Sequence, residues 1–321
     1  MNSENIHDKF FKSLMTEKEN AIDFFQNYLP PELLKEIDLE TLELEKESFV
    51  DDKLKEGFSD VLYRVKIHQK NGYLYTLFDH KSRPGKYTAL QLLKYILSIW
   101  ERHLKLNKNR GKLPIVLPIV LYHGKSRWRS GTSLKPIIEH LPAYESYIPD
   151  FQYRLYDLSK YSDEEIKGNV ILQTAFHLLK NIFSSELEER LPRIFKLFEK
   201  LQDESRALRW IEITMRYLVR SSTEITLDSL KKVAENINLE GVSKNTMPTI
   251  AETLIKEGYE KGIAEAKRLA DLQTKRAERK GKLRTAINLK KAGAELAFIA
   301  KITEFDEVYL NRFFCRLGEE F

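Results

Sequence analysis

The stretch FSDVLYRVKIHQKNGYLYTLFDHKS, residues 58 to 82, decides how this chain folds. From 58 to 67 it alternates, with Val61, Tyr63, Val65 and Ile67 on one side, the period of a half-buried strand. Asn71-Gly72 is a strong hairpin signal, because both residue types tolerate positive φ, so it predicts a turn before a second run, YLYTLFDH. Two antiparallel strands are expected. The second ends on Asp79 and Lys81, two residues apart and therefore on one strand face. Folding at residues 71 and 72 carries Asp60, early in the first strand, to the same end of the sheet as Asp79. Counted from that turn, Asp60 lies 11 residues before Asn71 and Asp79 lies 7 after Gly72, so the registers coincide only if a bulge or offset intervenes.

Upstream, Phe10, Phe11, Leu14, Phe25 and Tyr28 recur at helical spacing, which predicts one amphipathic helix from Asp8 to Tyr28, stopped by Pro30-Pro31. Glu47 to Val50 reads as a short strand. Downstream of Pro84-Gly85, KYTALQLLKYILSIWERHL reads as a strongly apolar helix that packs on the sheet. LPIVLPIVLYHG (113–124) is a continuous β-branched run, the mark of a central strand, with Pro114 and Pro118 limiting where pairing begins. FQYRLYDLS (151–159) alternates as an edge strand. Helix, strands, helix, strand, strand make an α/β sandwich. Residues 163 to 237 are helical in pattern, with short connections suited to a small bundle. Residues 261 to 291 carry 11 Lys/Arg against 3 Asp/Glu and read as a solvated helical arm, followed by a break at Gly293 and two short helical patterns. Those last elements read as a miniature helix-turn-helix or as a capping or oligomerising element. The expected division is 1–162, 163–245 and 246–321.

The chain has 321 residues, 42% of them hydrophobic, with 17 Phe and 15 Tyr, enough to fill a sizeable core. Its single cysteine, Cys315, excludes an internal disulfide and a thiolate zinc cluster, which suits a reducing compartment. No apolar run approaches the roughly 18 residues of a membrane helix, and the polar start MNSENIHDKF does not read as a secretion signal. A cytoplasmic protein without a membrane partner is expected. Net charge is +5, but it is unevenly spread: residues 1–60 hold 7 Lys/Arg and 16 Asp/Glu, residues 61–135 hold 16 and 2. The basic block suggests a polyanion, unless it pairs with the acidic one across the fold.

Two carboxylates from neighbouring strands can share a divalent ion, and an ammonium beside them can position a water and offset charge growing on a phosphoryl group. GFSD (57–60), DHK (79–81) and QLLKY (91–95) match, in order and in context, the GxxD, DxK and QxxxY signatures of PD-(D/E)XK nucleases. From HDKFFKSL to IKEGYEKG the chain resembles the Rpn recombination-promoting nucleases, also called YhgA-like transposases. That resemblance implies a restriction-endonuclease-like αβββαβ core with a mixed sheet, followed by a helical region and a basic helical tail. It implies Asp60 and Asp79 as metal ligands, the His80 backbone carbonyl as a third, Lys81 as the catalytic lysine, and Gln91 with Tyr95 facing the same cleft. Many members look like EHQS where this chain has DHKS, so this chain departs toward the general nuclease pattern. Asp8 is the first candidate for an acidic ligand from the opening helix and Glu17 the second. Arg83, Lys86, Lys125 and Arg127 are candidates for phosphate contact.

The implied activity is Mg²⁺-dependent DNA cleavage, with Mn²⁺ or Ca²⁺ as alternatives, in recombination or a mobile element of a bacterial cell. The tail is a candidate for pairing two subunits. Against this stand a non-catalytic nucleic-acid-binding or assembly protein on the same fold, and transposition proper. The plainer alternatives are Asp60 as a strand-end salt bridge, Lys81 as a solvated lysine and Gln91 with Tyr95 as core groups, each carrying less weight than the functional reading. His7, His80 and His123 are dispersed and read as structural.

Overall fold

The computed structural model describes residues 6–45, 59–79, 85–139, 141–221, 225–237 and 246–316, whose contacts divide into two units, 1–255 and 256–321. Two helices, α1 (Ile6–Met15) and α2 (Lys18–Tyr28), and the short α3 (Pro31–Leu34) precede the strands β1 (Ile37–Leu44), β2 (Ser59–Ile67) and β3 (Lys70–Asp79). Helix α4 (Thr88–Leu106) leads into β4 (Val116–Tyr122), and β5 (Arg154–Asp157) follows. The sheet runs β1-β2-β3-β4-β5, antiparallel through the first three strands and parallel through the last three. It is a mixed α/β architecture.

The hairpin turns three residues earlier than Asn71-Gly72 suggests. Ile67 pairs with Lys70, and the two residues between them, His68 and Gln69, hold φ of 47° and 63°. Positive φ at both central positions is the type I′ signature, usually supplied by Asn and Gly. Here the turn is pinned from outside, because the His68 N–H donates to the Glu36 carbonyl at 2.8 Å. Gly72 serves packing instead: a Cβ there would stand 2.5 Å from Ile67 Cδ1 and 2.8 Å from its Cγ1. With this turn Asp60 pairs with Leu77, and Asp79 lies two residues beyond that partner without any bulge.

One further expectation needs correction. The single opening helix is split at Thr16-Glu17, where Glu17 adopts extended backbone (φ −79°, ψ 115°). The first strand is Ile37–Leu44, and the stretch from Glu47 to Val50 lies outside the described residues. Part of the acidic block does pair with the basic one: Glu43 of β1 and Glu45 just after it both engage Arg64 of β2. Lys105, Lys108, Arg110 and Lys112 remain exposed.

Alternation places two cores on the sheet. Val61, Tyr63, Val65, Leu74, Phe78, Ile119 and Leu121 face α1, α2 and the later helices α5 (Val170–Asn181), α6 (Leu187–Phe195), α7 (Glu204–Ser221) and α8 (Leu227–Asn236). Those helices share one continuous core with the sheet, through Phe176, Phe195, Trp210 and Ile211. Phe11 stacks on Phe78 with centroids 4.4 Å apart, and each fully buried ring of this kind contributes about 2–3 kcal/mol. On the other face, Leu62, Tyr73, Tyr75, Leu77, Val120 and Tyr122 pack under Ala89, Leu92, Tyr95 and Ile99 of α4.

The chain continues with α9 (Thr246–Lys291), α10 (Leu296–Thr303) and α11 (Glu307–Arg316). Gly293, at φ +81°, ends α9, and Ala286, Ile299, Leu310 and Phe314 bury one another in a small core. Side chains 270 to 281 are all exposed, as the polar composition of the arm requires. No helix among the described residues is long and apolar enough to cross a membrane.

Candidate active site

Asp79 is the last residue of β3. Its parallel partner is Tyr122 in β4, whose own partner is Asp157 in β5. This is the carboxyl end of three parallel strands, the margin where open α/β sheets commonly place ligands. Register puts positions 60 and 79 on the same face of the β2–β3 pair, as diagonal neighbours, a relation that spans about 7–8 Å between backbones. Carboxylates at such positions can straddle a cation that each ligates at about 2.0–2.1 Å. The mismatch counted from a turn at Asn71-Gly72 disappears because the turn lies three residues earlier, and what remains is this two-residue diagonal in the opposite sense.

Asp79 is fully buried. Burial, with the Asp79 charge adding to it, pushes the Tyr153 phenol up to about 12. Tyr122 is raised by burial first, then by the charges of Asp157 and Asp79. Both phenols therefore stay protonated at neutral pH and act as donors. Tyr122 gives its proton to the Ser126 carbonyl at 2.6 Å and Tyr153 to that of Gly131 at 2.8 Å. The Trp128 N–H donates to Asp157 Oδ2 at 3.0 Å, and its ring meets Tyr122 edge-on with centroids 5.1 Å apart. Together these contacts fasten the loop after β4 beside Asp79. Lys125, Arg127 and Arg129 stand exposed on that loop, and Lys125 Nζ lies 5.5 Å from the Phe183 ring. Sequence reading found the basic residues but missed the tyrosine wall, because an aromatic residue in an apolar run gives the same signal as core.

Helix α4 brings Tyr95 over this face, where it is buried with its ring 4.9 Å from that of Tyr75. Gln91, one turn earlier, is half-buried near the helix start, and Lys86 is exposed just before the helix. From the opposite face, Phe11 of α1 stacks on Phe78, and the buried Asp8 lies one turn before Phe11 on the same side of that helix. Asp8 thus approaches the end of β3. Glu17 does not: it accepts from Trp210 Nε1 at 3.2 Å and pairs with Arg206 and Arg209, both at 3.3 Å. His7 and His123, distant in sequence, come together with ring centroids 4.9 Å apart, and His123 stacks on Phe78.

His80, Lys81 and Arg83 lie outside the described residues, as does the side chain of Asp60. Among the described residues, no group of three or more His, Cys, Asp or Glu could hold a metal ion.

The profile of the family described as "Putative transposase, YhgA-like" matches residues 5–209. This chain belongs to the YhgA-like family. Over 118 residues, 37% of the chain, it is 40% identical to the recombination-promoting nuclease RpnD of Escherichia coli O157:H7, covering 45% of that protein. Over 120 residues it is 39% identical to the recombination-promoting nuclease RpnC of Escherichia coli K12, covering 39% of it. The chain therefore spans under half the length of these two relatives. A longer match joins this YhgA-like chain to the inactive recombination-promoting nuclease-like protein RpnE of Escherichia coli K12, 29% identical over 269 residues, 81% of the chain and 84% of RpnE. No solved structure matches it at a significant level.

Proposed function

We propose that this chain is a divalent-metal-dependent DNA endonuclease with a restriction-endonuclease-like core, acting in recombination or a mobile element inside a bacterial cell. The observation that carries this reading is the diagonal of Asp60 and Asp79 at the carboxyl margin of the sheet, beneath a basic loop and beside the start of α4. The donor set suits a hard cation: two carboxylate positions, with the His80 carbonyl next in sequence, and Asp8 approaching from the other face. Oxygen donors of this kind favour Mg²⁺, with Mn²⁺ or Ca²⁺ as substitutes.

Asp79 and Asp60 would hold the ion, which when bound supplies Lewis acidity at the phosphoryl oxygens and a more acidic water. Lys81, two residues beyond Asp79 in sequence, orients the attacking water and offsets negative charge as its oxygen approaches phosphorus and the opposite P–O bond breaks. Gln91 positions the scissile strand, and Tyr95 braces it, itself held by its tilted ring contact with Tyr75. Lys125, Arg127 and Lys86, together with Arg83 of the adjoining sequence, hold flanking phosphates by charge, so binding weakens as salt rises. The division into 1–162, 163–245 and 246–321 gives this reading a nuclease-like part, a helical extension and a basic arm able to pair two subunits.

A second reading, a DNA-binding or assembly protein without catalysis, is favoured by the longer similarity to a relative named inactive. Plasmid cleavage separates the two. The parent should nick supercoiled DNA only with divalent metal, and Asp60→Ala, Asp79→Ala and Lys81→Ala should each abolish nicking while remaining folded. Salt-sensitive DNA binding without cleavage in any metal would establish the second reading instead.

A further inference from the structure

A cleft of about 170 Å³ opens by α5 and α6, on the opposite sheet face from α4, lined in part by Asp163, Gln173, His177, Arg190, Arg193 and Ile194. Four nitrogen groups converge there on one carboxylate. Lys180 Nζ stands 2.7 Å from Asp163 and Arg190 stands 3.3 Å away, whereas His177 and Arg193 both stand at 3.8 Å. Glu186 also pairs with Arg190, at 2.7 Å. Three permanent cations thus face Asp163 and Glu186, with the exposed Glu164 also acting on Arg193 and a titratable imidazole beside them.

The longer distances are informative, because 3.8 Å is an ion-pair distance and not a hydrogen bond. Asp163 therefore does not consume the hydrogen-bonding capacity of His177 or Arg193. The Arg193 side chain is 80% exposed at the mouth of the cleft. Gln173 donates one amide proton to the Gly168 carbonyl and Asn181 donates one to that of His177, which leaves each amide a second N–H. Ile194 and Leu197 give one wall an apolar surface.

We propose that this cleft binds a phosphomonoester dianion, gripped by Arg193, Lys180 and His177, with a compact organic group against Ile194 and Leu197. Guanidinium forks match a tetrahedral oxyanion and hold it by directed hydrogen bonds that a halide cannot match. His177 is faced by Asp163 from the segment before α5, by Lys180 on α5 and by Arg190 and Arg193 on α6. Burial holds its imidazole below its ordinary value, with the three cations acting in the same direction and Asp163 against it. A bound dianion would reverse that balance.

The test uses the full chain, titrated with inorganic phosphate and separately with a deoxynucleoside 5′-monophosphate, at fixed ionic strength against chloride. Calorimetry and the His177 ring resonances are followed. Saturable binding is expected with either phosphate, together with an upward move of the His177 titration by about one pH unit. Arg193→Ala should weaken binding at least about tenfold, and Lys200→Ala, an exposed charge on another stretch, should leave it unchanged. Equal affinity for the two probes assigns recognition to the phosphate alone; tighter monophosphate binding brings in the apolar wall. No saturation below about 10 mM, an unmoved His177, or full binding by Arg193→Ala would overturn the proposal and leave an ion-pair cluster that ties α5 to α6. Because Arg193 is exposed, its variant should melt with the parent when phosphate is absent.

Discussion

Gly72→Ala probes the hairpin where its packing is tightest. The new methyl would sit 2.5 Å and 2.8 Å from the end of Ile67 and 3.3 Å from the Ile115 carbonyl oxygen. Overpacking of this kind costs about 1–3 kcal/mol. The lower entropy of the unfolded alanine chain returns about 0.4–1 kcal/mol, so a net loss of about 1–2 kcal/mol is expected. Ile67→Ala alone opens a cavity and costs about 2–4 kcal/mol. The double variant relieves the overlap with Ile67, so it should be more stable than the sum of the singles by about 1–2 kcal/mol, less a residue from the Ile115 contact. Urea unfolding of all four proteins measures this. If the costs add within about 0.5 kcal/mol, Gly72 does not serve to admit Ile67, and the register argument for Asp60 and Asp79 loses its packing basis. A glycine needed for the turn itself would lose stability through backbone strain that Ile67→Ala could not relieve.

Replacing His68-Gln69 by Asn-Gly should raise stability by about 1 kcal/mol in the same assay, since those residues suit positive φ at both positions. Glu17→Ala should cost about 1–3 kcal/mol and leave metal-dependent cleavage intact, whereas Asp8→Ala should reduce cleavage; equal effects on cleavage would contradict the separation of the two. Asp163 is held below the usual carboxylate range chiefly by its hydrogen bond from Lys180, so its contribution to stability is present above its unfolded value and lost as pH falls through the folded one. His177 has its folded value lowered by burial, so its contribution is complete above about 6.5 and declines as pH falls; thermal melts of Asp163→Asn and His177→Gln should each flatten the acid limb of the parent's profile.

The strands β2 and β5 and the helix α4 were legible from a periodicity matched to burial, and β3 and β4 as continuous apolar runs covered on both faces. β1 was not, because a register shift between Asp38 and Glu43 buries Leu39 and Leu42 at a spacing of three instead of two. The break between α1 and α2 left no mark either, since MTEKEN is compatible with helix and only the network of Glu17 with Arg206, Arg209 and Trp210 explains the extended backbone there. The turn at His68-Gln69 rests on a bond to Glu36 that local residue preference does not contain. At the candidate site, Asp60 and Asp79 stood out as carboxylates in a basic, apolar stretch. Tyr122, Tyr153 and Trp128 did not, because their role depends on the hydroxyl and ring contacts that the fold supplies. The approach of His7 to His123 likewise depends on α1 crossing the end of the sheet.

The central claim is that Asp60 and Asp79 share one divalent cation at the sheet margin. Calorimetric titration of the full chain with Mn²⁺, beside Asp60→Asn and Asp79→Asn, tests it without recourse to activity. The parent should bind at a site that either substitution alone weakens by at least about tenfold, with both variants melting as cooperatively as the parent. If each variant keeps the parent's affinity, or the parent binds no ion at millimolar concentration, the two carboxylates do not form a common site.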